Sequence, residues 1–128
     1  MADCQIIAFH GWGFAGHDWN KWKRTLSDYG KFQAFDRGYF QNPQSVRLSN
    51  DRSPTVLISH SFGLHLIGKS QLEQTNLLVI TGGFLHFHPY AAQYKRRSRL
   101  ILQEMINNME VNPEEVLQKF YQNCYAPQ

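Results

Sequence analysis

The chain has 128 residues, of which 42% are hydrophobic and 18% are charged. This balance excludes an intrinsically disordered chain and provides for a sizeable core. The net charge of +3 is scattered apart from one dense basic run, so we do not expect a nucleic acid partner.

Cysteine usage and apolar run lengths limit the class of protein further. The two cysteines have no C-x-x-C spacing, so the sequence predicts neither a metal site nor a disulfide framework, and no cofactor is expected. No apolar run approaches the roughly 18 residues that cross a membrane, and the sequence opens without a signal pattern. We therefore expect a cytoplasmic protein that does not enter a membrane.

Four short apolar segments predict β-strands, at residues 4–9, 31–35, 55–59 and 77–81. Between the first two strands, Trp19, Trp22 and Leu26 recur at intervals of three and four, which predicts a helix over residues 17–29. A second helix is expected over residues 62–69, although two glycines weaken its propensity. Strands that alternate with helices, and that are almost continuously apolar, predict a mostly parallel sheet covered on both faces.

The pattern changes after the fourth strand. Residues 91–109 form an amphipathic helical pattern, and a strong helix start follows, with Asn112 as N-cap and Pro113 at the first helical position. The sequence therefore predicts an α/β core over residues 1–90 and a helical segment over residues 91–128.

The junction after the third strand carries the pentapeptide Ser59-His60-Ser61-Phe62-Gly63. A small-x-Ser-x-small pattern between a strand and a helix is typical of the nucleophile elbow, in which the serine sits on a sharp, strained turn. The flanking residues must be small because strand and helix pass closely there. An ordinary strand-to-helix turn with a helix-capping serine is the alternative.

The loop after the first strand reads His10-Gly11-Trp12-Gly13. An oxyanion hole needs two backbone N–H groups directed at one point, and glycines let such a loop approach a substrate closely. The alternative is a glycine-rich turn with a packed tryptophan.

The two motifs in this order resemble a known family. "IIAFHGWGFAGHDW" followed by "VLISHSFGLHL" is similar to the N-terminal part of the small α/β-hydrolases that act as pimeloyl-[acyl-carrier-protein] methyl ester esterases in biotin synthesis. Related short-chain carboxylesterases share the pattern. The resemblance covers residues 5–81, and more loosely the helices up to residue 125, which would begin the lid. It implies a three-layer α/β-hydrolase core followed by lid-like helices.

The resemblance also implies roles for individual residues. Ser61 would be the nucleophile of a serine esterase that forms an acyl-enzyme, and the N–H groups of Trp12 and Phe62 would form the oxyanion hole. The Trp12 side chain would line the acyl pocket, and His10 would shape the oxyanion loop rather than act as the base. The expected pocket residues are His10, Gly11, Trp12, His86 and His88.

The catalytic acid and histidine of this fold follow the nucleophile in the order Asp or Glu, then His. Only 67 residues follow Ser61, with no further strand pattern, so we expect the chain to end before both groups. Three explanations stay open. The remainder is supplied elsewhere or lost; the chain is a shortened family member that no longer catalyses; or a different base serves, such as His86 or His88 with Asp36 as partner.

The dense basic run comprises Lys95, Arg96, Arg97 and Arg99 at the start of the first lid-like helix. It is either a solvated helix face or, by the resemblance, a docking face for a strongly acidic acyl carrier protein. The favoured substrate is a methyl ester of pimeloyl-acyl carrier protein. A general short-chain esterase, a thioesterase, and a catalytically incomplete module that binds acyl groups or a partner are the alternatives.

Overall fold

The computed structural model describes residues 4–126, and its centre is a four-stranded sheet. The strands are β1 (Cys4–Phe9), β2 (Gly30–Phe35), β3 (Thr55–His60) and β4 (Leu77–Thr81). Their order is β2-β1-β3-β4, and every pair is parallel. The α/β class and the parallel sheet expected from the sequence are confirmed.

Helical segments connect and follow these strands. A 3-10 turn (Gly16–Trp19) and helix α1 (Asn20–Leu26) lie between β1 and β2. A second 3-10 segment (Ser61–Leu66) and helix α2 (Lys69–Glu73) lie between β3 and β4. Two longer helices follow, α3 (Ala92–Val111) and α4 (Pro113–Cys124). No helix among residues 4–126 is both long enough and apolar enough to cross a lipid bilayer.

The helix predicted over residues 62–69 is wrong in detail. The chain instead forms a 3-10 segment up to Leu66, and Ile67 then adopts extended backbone with ψ of 126° before α2 begins. Gly63 and Gly68 both lie in this stretch, and glycine costs a helix interior roughly 1 kcal/mol relative to alanine. The bend also places the Ile67 side chain in the core, where it is buried.

Strand β1 supplies the centre of the core because its side chains alternate between the two faces of the sheet. Ile6 and Ala8 pack with Trp19 on one face. Ile7 and Phe9 pack with Leu57 and Ile67 on the other face. Burial of each large aliphatic or aromatic side chain contributes about 1.5–3 kcal/mol, so both layers hold the end of β1 firmly.

The chain divides into two compact units, one that ends at Phe84 and one that begins at Leu85. This boundary lies before the expected division between residues 90 and 91. Within the second unit α3 and α4 pack against each other. The predicted start of α4 is present: the Asn112 side chain accepts a hydrogen bond from the Glu115 N–H at 3.3 Å, with Pro113 at the first helical position.

Candidate functional site

The strand order places a topological switch point between β1 and β3. The chain leaves β1 toward one edge of the sheet to form β2, and it leaves β3 toward the other edge to form β4. In open parallel sheets, ligands bind in the crevice outside the carboxyl ends of the two strands at such a point. The segments that leave these two ends are His10–Gly13 and Ser61–Gly63. Both sequence motifs therefore emerge at the switch point.

Ser61 is the first residue after β3 and the first of the 3-10 segment. Its φ is +53°, in the left-handed region that few residues other than glycine adopt. Such a conformation costs of the order of 1–3 kcal/mol and persists only where the surroundings hold it. The serine thus lies on the strained strand-to-helix turn that the sequence predicts.

Close backbone packing explains the small residue two positions after the serine. A Cβ added to Gly63 would lie 2.5 Å from the carbonyl oxygen of Phe9 and 2.8 Å from that of His10. These are backbone atoms of β1 and its extension, and they cannot move aside cheaply. On the other flank Ser59 is completely buried, and within residues 4–126 its hydroxyl has no hydrogen-bond partner.

The glycine-rich loop touches the elbow. A Cβ added to Gly11 would lie 3.0 Å from the Ser61 Cβ and 3.2 Å from both the Nδ1 and the carbonyl oxygen of His60. Gly11 itself is buried. Only a residue without a side chain lets the loop and the serine pack this closely, so the two motifs form one continuous site.

The loop forms a β-turn from Gly11 to Phe14. The Phe14 N–H donates to the Gly11 carbonyl oxygen at 3.2 Å, and Gly13 has a φ of +74°. A positive φ at the third residue is the requirement of a type II turn, which glycine meets without strain. The turn conformation therefore favours glycine at position 13, whereas close packing favours glycine at position 11.

His10 is buried, and both of its ring nitrogens are occupied. The Arg37 N–H donates to Nε2 at 2.9 Å, so Nε2 carries no proton. The proton of the neutral ring is then on Nδ1, which donates to the Gly11 carbonyl oxygen at 2.7 Å. A histidine held in this way is not available as a general base for Ser61, in agreement with the positioning role expected for it.

The same hydrogen bond orients a second group. The Gly11 carbonyl and the Trp12 N–H belong to one planar trans peptide, in which they point in opposite directions. The carbonyl oxygen accepts from both His10 Nδ1 and the Phe14 N–H, which fixes that plane. The direction of the Trp12 N–H, one expected oxyanion donor, is consequently fixed as well.

Asp36 is a buried carboxylate at the end of β2 that accepts three hydrogen bonds from nearby residues. It accepts from the N–H groups of Gly16 at 2.7 Å and Gly38 at 2.8 Å, and from Gln41 Nε2 at 2.7 Å. Burial acts to raise the pKa of Asp36. The hydrogen bonds from Gly16, Gly38 and Gln41 outweigh burial and hold the pKa below its usual value. Asp36 therefore ties the segment after β1 to the loop after β2.

The histidines nearest the serine in sequence pack against aromatic rings. His60 lies edge-on to Phe14, with ring centroids 5.3 Å apart. The His65 ring stacks on Phe62 at 5.3 Å, and its Nε2 is 2.8 Å from the Phe84 carbonyl oxygen. Within residues 4–84 no hydrogen bond joins Ser61 Oγ to an imidazole.

His86 and His88 belong to the second unit. His88 Nδ1 is hydrogen-bonded to Ser98 Oγ at 2.9 Å, and the His86 ring contacts Tyr90 at a centroid distance of 5.1 Å. Both rings therefore have partners within their own unit, and the first unit, over residues 4–84, places no imidazole in hydrogen-bond contact with Ser61. Among all the described residues, no cluster of three or more His, Cys, Asp or Glu side chains is arranged to hold a metal ion.

The basic run lies in the first two turns of α3. Lys95 is half-buried, whereas the three arginines are exposed. Among the described residues none of these four cations forms a salt bridge. Positive charges near the start of a helix oppose its dipole, so this placement does not serve the stability of α3.

Sequence reasoning missed the network around Asp36 and a groove on α3 that is described below. The turn Asp36-Arg37-Gly38 was visible in the sequence, but its link to His10 was not.

Comparison of the chain with protein-family models, with curated proteins and with solved structures finds no match. A functional interpretation thus depends on the geometry of the site and on the motifs themselves.

Proposed function

We propose that the first unit carries the nucleophile and the oxyanion loop of a serine carboxylic ester hydrolase of the α/β-hydrolase type. One observation carries the proposal: Ser61, in the left-handed conformation at the end of β3, is in contact with Gly11 of the glycine-rich loop. A helix-capping serine would not need this conformation, nor a second loop packed against its Cβ.

In the proposed reaction the Ser61 oxygen attacks the ester carbonyl, and its proton passes through a base to the departing alcohol. Water then hydrolyses the acyl-enzyme and restores the serine. The negative charge on the carbonyl oxygen would be stabilised by the N–H groups of Trp12 and Phe62. His10 would act as a positioning residue, because it holds the peptide that carries the Trp12 N–H.

A serine hydroxyl without a base reacts slowly. In other serine hydrolases, loss of a triad member leaves roughly 10³–10⁴-fold acceleration over water, from binding and the oxyanion hole. Because the described part of the first unit places no imidazole in hydrogen-bond contact with Ser61, we expect this chain to hydrolyse esters weakly. The same observation favours the second candidate function, a module that binds acyl groups without turning them over.

Hydrolysis of p-nitrophenyl butyrate tests the proposal. We expect slow release of p-nitrophenol that Ser61→Ala lowers to the rate set by binding and the oxyanion hole alone, and that Ser70→Ala, an exposed serine on α2, leaves unchanged. Equal rates for the parent and Ser61→Ala would reject Ser61 as nucleophile and leave the binding module. Fast turnover that depends on Ser61 would show that the chain has its own base, and His86 and His88 would be substituted next.

The substrate and partner are a finer part of the same proposal. We favour an acyl ester carried on an acidic carrier protein, with a methyl ester of pimeloyl-acyl carrier protein first and short-chain esters or thioesters as alternatives. The exposed cations of the basic run would steer such a carrier by electrostatic attraction. They do not stabilise α3, because cations at the start of a helix oppose its dipole.

Carrier binding should weaken as salt rises, and replacement of Lys95, Arg96, Arg97 and Arg99 by Ala should remove most of that dependence. Salt-independent binding would exclude this docking face.

A further inference from the structure

One face of α3 forms a groove in the second unit. Its volume is about 240 Å³, and its lining is mostly apolar, with a single cation: Phe87, Tyr94, Arg97, Ile101, Leu102 and Met105. The five helical residues recur at intervals of three, four, one and three, so they share one face of α3. Phe87, Tyr94 and Ile101 are each more than half exposed, which is unusual for side chains of this size grouped together.

A hydrogen bond holds the segment before α3 against this face. His88 Nδ1 and Ser98 Oγ are 2.9 Å apart, and Ser98 also lines the groove. Phe87 precedes His88 directly, so the bond keeps the phenyl ring at the groove wall. The groove is thus shaped by the fold of the second unit and does not depend on Ser61.

The sequence on both sides of Arg97 carries charge of one sign. Residues 74–103 contain no Asp or Glu but contain four cations. Arg97 forms no salt bridge with any described residue. An arginine that lines an apolar groove and forms no salt bridge among the described residues complements a ligand that has an anionic head and an apolar tail.

We propose that this groove binds an aliphatic carboxylate of medium chain length, with the carboxylate on Arg97 and the alkyl chain along Ile101, Leu102 and Met105. The face from Tyr94 to Met105 extends about 16 Å along the helix at a rise of 1.5 Å per residue. Its volume is below the range of about 300–1,000 Å³ for pockets that hold drug-sized ligands, so a single slender chain suits it better than a ring system.

The affinity should depend on both parts of the ligand. Each methylene removed from water contributes up to about 0.8 kcal/mol, so each carbon added to the chain should tighten binding roughly two- to fourfold until the groove is full. The head group should matter through Arg97, as a charge-assisted hydrogen bond does. Octanoate should bind more tightly than octanol, and octylammonium should bind least.

Titration of the isotope-labelled chain, followed by amide NMR shifts, tests the proposal. We expect octanoate, below its micelle concentration, to shift residues of α3 and the Phe87 region saturably in the millimolar range, and butyrate to bind more weakly. Arg97→Gln should weaken octanoate binding about fivefold or more. Arg96→Gln and Arg99→Gln are matched controls, because they remove the same charge from neighbouring positions outside the groove lining.

The possible results separate clearly. The site is supported if Arg97→Gln alone weakens octanoate binding, and if affinity falls in the order octanoate, octanol, octylammonium. If all three arginine variants weakened octanoate binding equally, the binding would be a general effect of the basic run, and the proposed site would be overturned. Equal binding of octanoate and octylammonium, or shifts confined to the first unit, would also overturn it, and these two readouts use the unmodified chain. Ser61→Ala should bind octanoate normally, so failure of the esterase proposal would not affect this one.

Discussion

Backbone conformation at a few residues determines whether the elbow can form. Ser61 has an unfavourable φ, and the packing around it must supply the free energy that holds it there. Gly63 permits contact with the carbonyl oxygens of Phe9 and His10, and Gly11 permits contact with Ser61. The site therefore depends on residues that have no side chain as much as on the serine itself.

Substitution of Gly63 by Ala should destabilise the first unit by about 3 kcal/mol, because the new methyl would overlap backbone oxygen atoms at 2.5 and 2.8 Å. Gly68→Ala is the matched control. Its Cβ would approach only the flexible Gln71 side chain, at 3.4 Å, so it should change the free energy of unfolding by less than about 1 kcal/mol. Urea unfolding of the two variants measures the difference. Similar values for both would show that the close crossing at Gly63 is absent.

The sequence located the serine turn well but not the network behind the loop. The small-x-Ser-x-small pattern is a local steric signal, so five residues were enough to place Ser61 after β3. His10 and Asp36 are 26 positions apart in the sequence. They become neighbours because β1 and β2 pair in parallel, with Phe9 opposite Phe35. Neither segment alone indicates which register the two strands adopt. The sequence therefore does not indicate which polar groups become neighbours at their ends.

Strand β4 shows the limit of apolar patterning. Its bounds agree with those predicted, but its expected burial on both faces is wrong. Leu77, Val79 and Ile80 are between 37% and 55% exposed. Among the described strands β4 pairs only with β3, and the five-residue α2 that precedes it covers little of the sheet. An apolar edge strand without Lys, Pro or a bulge lacks the usual protection against pairing with another chain.

We therefore expect the chain to self-associate through β4 as its concentration rises. Val79→Lys should reduce the association, because a charge on an edge strand disfavours pairing. Ser70→Lys adds the same charge on exposed α2 and should behave like the parent. Sedimentation velocity over a concentration series measures the mean mass. If both lysine variants dissolve the association equally, net charge and not the β4 edge controls it.

The distribution of charge over the whole chain also matters. The second unit has its cations at residues 95–99 and its acids from Glu104 onward, apart from Lys119. The start of α3 is therefore positive, and the rest of α3 and the start of α4 carry the acids. This separation is visible in the sequence. The groove that Arg97 lines is not, because it forms only when the face of α3 and Phe87 come together.

The pH dependence of folding stability reports on the buried surroundings of the elbow. Burial lowers the pKa of His60 below its usual 6.5, and attraction to Asp18 opposes this only in part. Above pH 6.5 the ring is neutral in both folded and unfolded chains, and stability is unaffected. As the pH falls below 6.5, the unfolded chain binds the proton first, so the free energy of unfolding decreases until the lowered folded pKa is reached.

Urea unfolding at pH 7.5, 6.5 and 5.5 tests this expectation. The fluorescence of Trp12, Trp19 and Trp22 reports on the first unit, which contains every tryptophan of the chain. The parent should lose stability toward pH 5.5, by at most about 1.4 kcal/mol per pH unit from this one proton. His60→Gln should flatten the dependence, whereas His17→Gln, at an exposed histidine, should retain it. If the free energy of unfolding of His60→Gln kept the pH dependence of the parent, His60 would be solvated. The glycine-rich loop would then not pack tightly against the elbow.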